Sequence, residues 1–311
     1  VGIFFEIYGM INHESYENVK NVSNYYGLLI GKKENKEGND FKMIGFRDFD
    51  LDKFIEKMHP YGYTIVVYIQ EKENDKIHRK KYGIYSPGTT FLEEPQILSN
   101  HMSCIWIQKS KTIHKDQYIF GLSNINVING KSNLCEYYET YYHNPTTYDS
   151  IESFLNVYNP IEIIFIHNLE QDMMNSILQY LPIKNTKHHV IDIYNKKHTL
   201  SIQASRCESQ IYQNEVILSF FPKINVDIFK SSIEDKPIAL QSYCFLLNFI
   251  HQQNVNLTEK IHEPKVQNIQ DTLLCANHSL KQLNIINEDG NYNKNSKYTS
   301  IIGLLNQCKT K

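Results

Sequence analysis

The sequence predicts a multidomain α/β protein: a mixed α/β unit, then a second α/β unit, then an all-helical segment. Short runs of β-branched and aromatic residues alternate with stretches of helical periodicity up to about residue 232, and beyond that point only helical periodicity remains. The chain has 311 residues, of which 41% are hydrophobic and 21% are charged, so it is long enough for two or three domains with their own cores. We expect domains at residues 1–100, 101–232 and 233–311.

The first domain is predicted to be mixed α/β. It opens with a strand at Gly2–Tyr8, which is followed by a helix at about Ser15–Tyr25. A second helix is expected from Asp50 to Met58, because Asp50 is a suitable N-cap and apolar residues follow it at helical spacing. The other predicted strands are Leu28–Lys32, Phe41–Phe46, Thr64–Gln70 and Lys81–Tyr85.

The second domain is predicted to have the element order β-β-β-α-β-α-β. Asn129-Gly130 predicts a two-residue hairpin turn between its second and third strands. The predicted strands are Ser103–Ser110, Gln117–Ile128, Ser132–Thr140, Ile161–Ile166 and Val190–Tyr194. The helices are expected at about Tyr148–Val157 and Leu169–Leu181, and those of the third segment at Pro237–Gln253, Asp271–Ile286 and Ser300–Lys309.

The composition argues against several classes of protein. No apolar run approaches the roughly 18 residues that span a bilayer, and no signal-peptide pattern is present, so we expect no membrane partner. Six scattered cysteines without a Cys-x-x-Cys pair indicate reduced, buried thiols in an intracellular protein; nucleus, viral factory or cytoplasm, and mitochondrion remain open. The 13 histidines show no metal-ligand spacing, so no metal site is predicted.

The net charge of −2 is unusual for a nucleic-acid-binding protein, but basic residues cluster locally. One predicted loop carries Lys32, Lys33 and Lys36, and another carries Lys72, Lys76, Arg79, Lys80 and Lys81. Two interpretations of these clusters remain open. Either both clusters lie in solvated hairpin loops, or their side chains position the chain on DNA phosphates.

The opening strand carries the candidate site. Side chains alternate along a strand, so Phe4 and Glu6 are expected on one face and Phe5 and Ile7 on the other. An apolar ring can enter between base steps from the minor groove and kink the duplex, and a neighbouring carboxyl group can hydrogen-bond to the displaced base.

This strand resembles a motif of the MutS family of DNA mismatch-recognition proteins, Gly-Asp-Phe-Tyr-Glu, with Ile3 replacing Asp and Phe5 replacing Tyr. Similar blocks follow in the order of the family: Ile44-Gly45-Phe46, the helix from Asp50, Gly62–Gln70, Tyr85–Thr89 and Leu274–Ile286. They are most similar to the MutS proteins of giant viruses and octocoral mitochondria.

The resemblance implies a mismatch-recognition domain, an RNase H-like connector and the start of a helical core or lever domain, in an N-terminal fragment. Phe4 would be the wedge and Glu6 its base-contacting partner. The implied partners are duplex DNA with mispairs or small loops and a second subunit, identical or different. No catalytic residue, metal or cofactor is expected here, whereas ATP and Mg²⁺ would belong to an ATPase beyond residue 311. Lys32, Lys33, Lys80 and Lys81 are candidate DNA contacts.

Two alternatives remain. The chain could be a MutS-related module that binds proteins or DNA structures without reading mispairs. A nuclease on the RNase H-like unit is disfavoured, because Asn124 and Asn126 stand where metal-binding acids are needed. Glu162 and Asp192 are not individually excluded as ligands of such a site.

Overall fold

A computed structural model describes residues 4–34, 40–73, 76–89, 100–111, 116–140, 145–183, 186–267, 279–285 and 300–305. The chain forms two compact units, Val1–Pro95 and Gln96–Lys311. Both contain strands and helices, which confirms the mixed α/β class. Residues 233–311 do not form a separate unit, so the predicted third domain is not resolved as one.

The first unit combines two helices with two antiparallel sheets. Its elements are β1 (Phe4–Met10), α1 (Glu14–Tyr26), β2 (Gly31–Glu34), β3 (Asp40–Arg47), α2 (Leu51–Met58), β4 (Ile65–Glu73) and β5 (Lys76–Tyr85). One sheet has the order β1-β3-β2, and the other is the ribbon β4-β5. These elements lie where the sequence predicts them, with shifted ends.

A small core holds this unit together. Val19 and Val22 of α1 and Phe54 of α2 are buried against β3, where the rings of Phe46 and Phe54 stack at 4.2 Å between centroids. Phe5 of β1 packs against the same cluster. One face of β1 is therefore committed to the core, and alternation turns the other face outward.

Asp50 occupies the N-cap position of α2, as predicted, but its side chain makes no capping hydrogen bond. A 3₁₀ turn at Asp48–Asp50 leads directly into the helix. The carboxylate of Asp48 instead accepts a 2.9 Å hydrogen bond from the N–H of Phe49.

The second unit is built on a six-stranded mixed sheet with the order β10-β9-β6-β7-β8-β11. Its first elements follow the predicted order: β6 (His101–Lys111), β7 (Asp116–Asn126), β8 (Ser132–Thr140), α3 (Asp149–Tyr158), β9 (Glu162–His167), α4 (Gln171–Tyr180) and β10 (Lys187–Asp192). β6, β7 and β8 are antiparallel, whereas β9 runs parallel to β6 and β10 parallel to β9.

Both faces of this sheet are covered. α3 and α4 pack on one face, and α5 (Thr199–Arg206), α6 (Gln210–Phe220), α7 (Val226–Ser232) and α8 (Pro237–Gln253) pack on the other. This explains why all six residues of β9 are buried. The helices α5, α6 and α7 are absent from the sequence-based prediction.

The helix α8, predicted as the start of a separate domain, lies on the sheet itself. Its N-terminus lies directly over Gly121 of β7, where a Cβ atom would meet the backbone of Ile238 at 2.3 Å. The neighbouring carboxylate of Glu136 accepts a 2.8 Å hydrogen bond from the N–H of Ala239. Burial raises the pKa of this carboxyl group, against the opposing effect of its hydrogen bonds.

The chain after α8 is not purely helical. It contains α9 (Val255–Thr258) and then β11 (Lys265–Val266), which pairs with β8 in parallel. The last described helices are α10 (Ser279–Gln282) and α11 (Ile301–Leu305), short parts of the two predicted terminal helices; residues 271–278 and 306–309 lie outside the described residues.

The predicted two-residue turn at Asn129-Gly130 is not observed. β7 ends at Asn126 and β8 begins at Ser132, so five residues connect the strands, although Gly130 does adopt a positive φ of 73°. The longer connection is held by Asn126, whose side-chain oxygen accepts hydrogen bonds from the N–H groups of Ile128 (3.0 Å) and Asn129 (3.2 Å).

The described cysteines agree with the predicted chemistry of the thiols: Cys104, Cys135, Cys207 and Cys244 are free and buried. Burial raises the pKa of both Cys104 and Cys135 to about 12, so these thiols are unreactive at neutral pH. Among the helices that the structure describes, none is long and apolar enough to cross a membrane.

Candidate nucleic-acid interface

The outward face of β1 presents the predicted wedge. Phe4 is 56% exposed and Glu6 is also exposed, whereas Phe5 and Ile7 are half-buried against the core. Phe5, which lies between them, packs against the core, whereas Phe4 and Glu6 lie on the solvent side of the strand.

The carboxylate of Glu6 is held by a neighbour on its own strand. Tyr8, two residues further along the same face, donates its hydroxyl hydrogen to Oε2 of Glu6. Gly45 lies opposite Glu6 on β3 and carries no side chain there. Gly45 therefore places no side chain beside the carboxylate.

An arginine lies beside the wedge. Arg47 on β3 is the cross-strand partner of Phe4, and directly opposed residues of an antiparallel pair share a face. Its guanidinium lies 5.8 Å from the ring centroid of Phe49. The aromatic wedge and a cation therefore stand side by side on the outward face.

The ribbon contributes a second row of side chains. Tyr68 pairs with Lys81 and Gln70 with Arg79, so these four share one face of the ribbon and all are exposed. The opposite face includes Val67, which is buried. The exposed row thus faces away from the core.

A cleft of about 840 Å³ connects the two rows. Its lining includes Phe4, Glu6 and Tyr8 from β1 and Tyr68, Gln70 and Arg79 from the ribbon. We call these six residues, together with Arg47 and Lys81, the wedge face. It combines aromatic rings, one carboxylate and three cationic side chains.

The predicted lysines are distributed unevenly around this face. Lys81 belongs to it, whereas Lys80 lies opposite Ile69 on the other face of the ribbon and forms a 3.3 Å ion pair with Glu71. Lys32 pairs with Lys42, which in turn pairs with Gly9, so Lys32 lies on the side of the sheet that faces away from Phe4.

Lys33 lies on β2 opposite Phe41, and its side chain is outside the described part of the structure. The two basic clusters are not loops, because their described members lie on the strands β2, β4 and β5. Arg47 was not singled out from the sequence, and Arg79 was named only as a member of the second basic cluster. The sequence offered no signal for Arg47, because only the register of β1 with β3 brings it beside Phe4.

In the second unit, the two asparagines tested as a nuclease signature serve the fold. Both lie on β7 and are buried. The amide oxygen of Asn124 accepts a 3.0 Å hydrogen bond from the hydroxyl of Ser103, and its amide nitrogen lies 2.9 Å from Nδ1 of His101. Burial lowers the pKa of His101, so its imidazole is neutral at pH 7.

The two remaining acidic candidates cannot share metal ions. Glu162 begins β9 and forms a 2.7 Å contact with Nε2 of His189, whereas Asp192 ends β10, where it pairs with His167. Along the strand direction, Asp192 lies five residues beyond the level of Glu162. At about 3.3 Å per residue, this separation is roughly 16 Å. A two-metal site needs its ions about 4 Å apart. Among the described residues, no group of three or more potential ligands could hold a metal ion.

Comparison with curated proteins supplies the family. A protein of Acanthamoeba polyphaga mimivirus whose name includes "DNA mismatch repair protein mutS homolog" is 22% identical to this chain over 333 residues. The alignment covers 100% of this chain and 29% of the relative. The "DNA mismatch repair protein MutS" of Fusobacterium nucleatum subsp. nucleatum is 19% identical over 321 residues, which cover 100% of this chain and 31% of the relative. These two relatives support a MutS-family fragment.

The chain spans about a third of the length of these MutS relatives. Its MutS-like blocks meet in the first unit: the Phe-x-Glu strand is β1, Ile44-Gly45-Phe46 lies on the paired strand β3, and Gly62–Gln70 leads into β4. The later block, Leu274–Ile286, lies largely outside the described residues.

Other comparisons add little to the MutS assignment. No family model matches the chain. The solved structure of Fowlpox virus resolvase with Holliday junction DNA covers 48% of this chain and 97% of its own, at 16% identity. Its TM-score of 0.27 is too low to support an argument about the fold.

Proposed function

We propose that the first unit recognises mispaired DNA by inserting Phe4 into the minor groove. The observation that carries this proposal is the exposure of Phe4 beside Glu6 on one strand face in a chain with MutS-family relatives. A mispair or small loop weakens stacking, so the duplex kinks there at a lower cost than at a correct pair. The ring would stack on the mispaired base, and Glu6 would hydrogen-bond to that base.

The cost of deformation provides the discrimination. Unstacking one step of a correct duplex takes a few kcal/mol, and a mispair has lost part of that stacking already. If the ring makes the same contacts at a mispair and at a correct pair, binding at the mispair is favoured by the difference between the two unstacking costs. Neither Phe4 nor Glu6 needs to identify one particular base.

Positioning on the phosphates falls to the cations of the wedge face. Arg47 shares the outward face of β1 and β3 with Phe4, and Arg79 and Lys81 share the exposed face of the ribbon, from which Arg79 lines the cleft together with Phe4. Such contacts fix the register of the protein on the duplex without reading its sequence. This assignment replaces Lys32 and Lys80, which lie on the opposite faces of their sheets.

The second unit is proposed to be the connector, with an RNase H-like fold. Its β-β-β-α-β-α-β order and its mixed sheet support this assignment. No catalytic role is proposed for either unit. ATP, Mg²⁺ and a second subunit, identical or different, are proposed for the full-length protein.

Competition binding of the full-length protein tests the proposal. A duplex with one G·T mispair or one unpaired base competes with homoduplex at fixed salt, for wild type and Phe4→Ala. Burying a phenylalanine ring is worth about 1.5–3 kcal/mol, so Phe4→Ala should weaken mispair binding by roughly 10- to 100-fold. Homoduplex binding should change by less than about twofold, because phosphate contacts dominate it.

Phe49→Ala is the matched control, since Phe49 is an exposed phenylalanine of the same unit, 66% exposed, that does not line the cleft. It should retain the mispair preference. Equal binding of wild type to both duplexes would refute mismatch recognition. That result would favour a MutS-related module that binds proteins or DNA structures without reading mispairs.

A further inference from the structure

Tyr8 is the third outward residue of β1, after Phe4 and Glu6. Its ring is half-buried and lines the cleft, and its hydroxyl hydrogen-bonds to Oε2 of Glu6. An exposed glutamate otherwise samples many rotamers and loses that freedom when it binds a ligand. A hydrogen bond within the free protein removes part of this loss before DNA arrives.

We infer that Tyr8 is a positioning residue, which holds the carboxylate of Glu6 toward the base that Phe4 displaces. This inference rests on the proposed mismatch recognition. Tyr8 acts through Glu6, and no contact between Tyr8 and the base is required. A carboxylate has acceptor positions for about four hydrogen bonds, so a bond from the hydroxyl leaves capacity for a base N–H group.

Geometry explains why a tyrosine at this position can act on Glu6. Residues two apart on a strand lie on the same face, about 7 Å apart along it, and a tyrosine ring is long enough to span that distance. Gly45, opposite Glu6, provides no competing side chain on β3. The ring of Tyr8 is half-buried, and its hydroxyl donates to Glu6 along the shared strand face.

A double-mutant cycle on the full-length protein tests the inference, with Tyr8→Phe, Glu6→Ala and the double variant. Tyr8→Phe keeps the ring and removes the hydroxyl. We expect it to weaken binding to the G·T duplex by about three- to tenfold, the cost of ordering the Glu6 side chain on binding, with homoduplex binding unchanged. In the Glu6→Ala background the same change should have less than about a twofold effect.

A fluorescence measurement separates positioning from a merely structural role. 2-Aminopurine placed beside the mispair becomes brighter when a ring unstacks it. Tyr8→Phe should reach the wild-type signal at saturation, because Phe4 still inserts. A distorted β1 would also displace Phe4 and reduce that signal. Tyr61→Phe is the matched control, since Tyr61 is 51% exposed and does not line the cleft.

The outcomes are distinct. Wild type without a mispair preference would refute the proposed function itself. Wild type with a preference that Tyr8→Phe retains would refute only the role of Tyr8. An equal loss from Tyr8→Phe with and without Glu6, or a reduced 2-aminopurine signal, would assign Tyr8 a structural role and overturn the inference.

Discussion

At the scale of residues, the alternation of side chains along each strand decides which residues belong to the wedge face. Phe4, Glu6 and Tyr8 face outward because Phe5 and Ile7 are held by the core. The same alternation separates two adjacent lysines of β5. Lys81 lies with Tyr68 on the wedge face, whereas Lys80 pairs with Glu71 behind it.

This separation predicts different effects for two neighbouring substitutions. Lys81→Ala should reduce the slope of log K against log salt concentration by about 0.9, the value for one lost phosphate contact. It should weaken mispair and homoduplex binding equally, because a phosphate contact does not read the base pair. Salt titrations of binding by fluorescence anisotropy provide the slope.

Lys80→Ala is the natural control, because it removes the same charge from the next residue of the strand. Its slope should match that of wild type. If Lys80→Ala reduced the slope and Lys81→Ala did not, the other face of the ribbon would be the one that contacts DNA.

At the scale of elements, the position of α8 shows how a helix becomes part of a sheet-based unit. Gly121 and Glu136 are cross-strand partners on β7 and β8. The first allows the backbone of α8 to approach the sheet, and the second accepts a hydrogen bond from the N–H of Ala239 in the first turn. These contacts bring the sequence after residue 233 into the second unit.

Gly121→Ala should therefore destabilise the second unit. The added Cβ would lie 2.3 Å from the carbonyl carbon of Ile238, which is backbone and cannot move without shifting α8. Overpacking of this kind costs about 1–3 kcal/mol. Trp106, the single tryptophan of the chain, is buried in this unit, so its fluorescence during urea unfolding reports the effect.

Gly31→Ala serves as the comparison. A Cβ at Gly31 would have no neighbour closer than 3.7 Å, and the residue belongs to the first unit. The transition reported by Trp106 should stay at the wild-type urea concentration. An unchanged transition in Gly121→Ala would mean that α8 does not approach the sheet as closely as described.

At the scale of the whole molecule, the charge balance limits how strongly this chain can bind DNA. Its net charge is −2, and the wedge face presents three cations, Arg47, Arg79 and Lys81. Affinity for duplex DNA rises with the number of phosphates neutralised. Three phosphate contacts therefore predict weak binding of duplex DNA by the 311-residue chain alone.

The 311-residue chain should consequently show a shallow salt dependence. Three phosphate contacts predict a slope of log K against log salt concentration of about −2.7. The full-length protein should show a steeper slope and tighter binding under the same conditions. A slope for the 311-residue chain as steep as that of the full-length protein would contradict this prediction.

Sequence by itself determined the properties that depend on local periodicity. The alternation of β1 separates Phe4 and Glu6 from Phe5 and Ile7, and the element order of the second unit up to β10 follows from runs of apolar residues. The ordered MutS-like blocks pointed to the family that the curated relatives confirm. These features can be predicted without knowledge of the fold, because each lies within one short segment.

Only the tertiary structure decided which segments meet. Strand register places Arg47 beside Phe4 and assigns Lys80 and Lys81 to different faces, and no local pattern contains that register. Long-range packing seats α8 over Gly121, more than a hundred residues earlier in the chain. Periodicity specifies which side of an element is apolar, but the pairing of distant elements specifies what that side contacts.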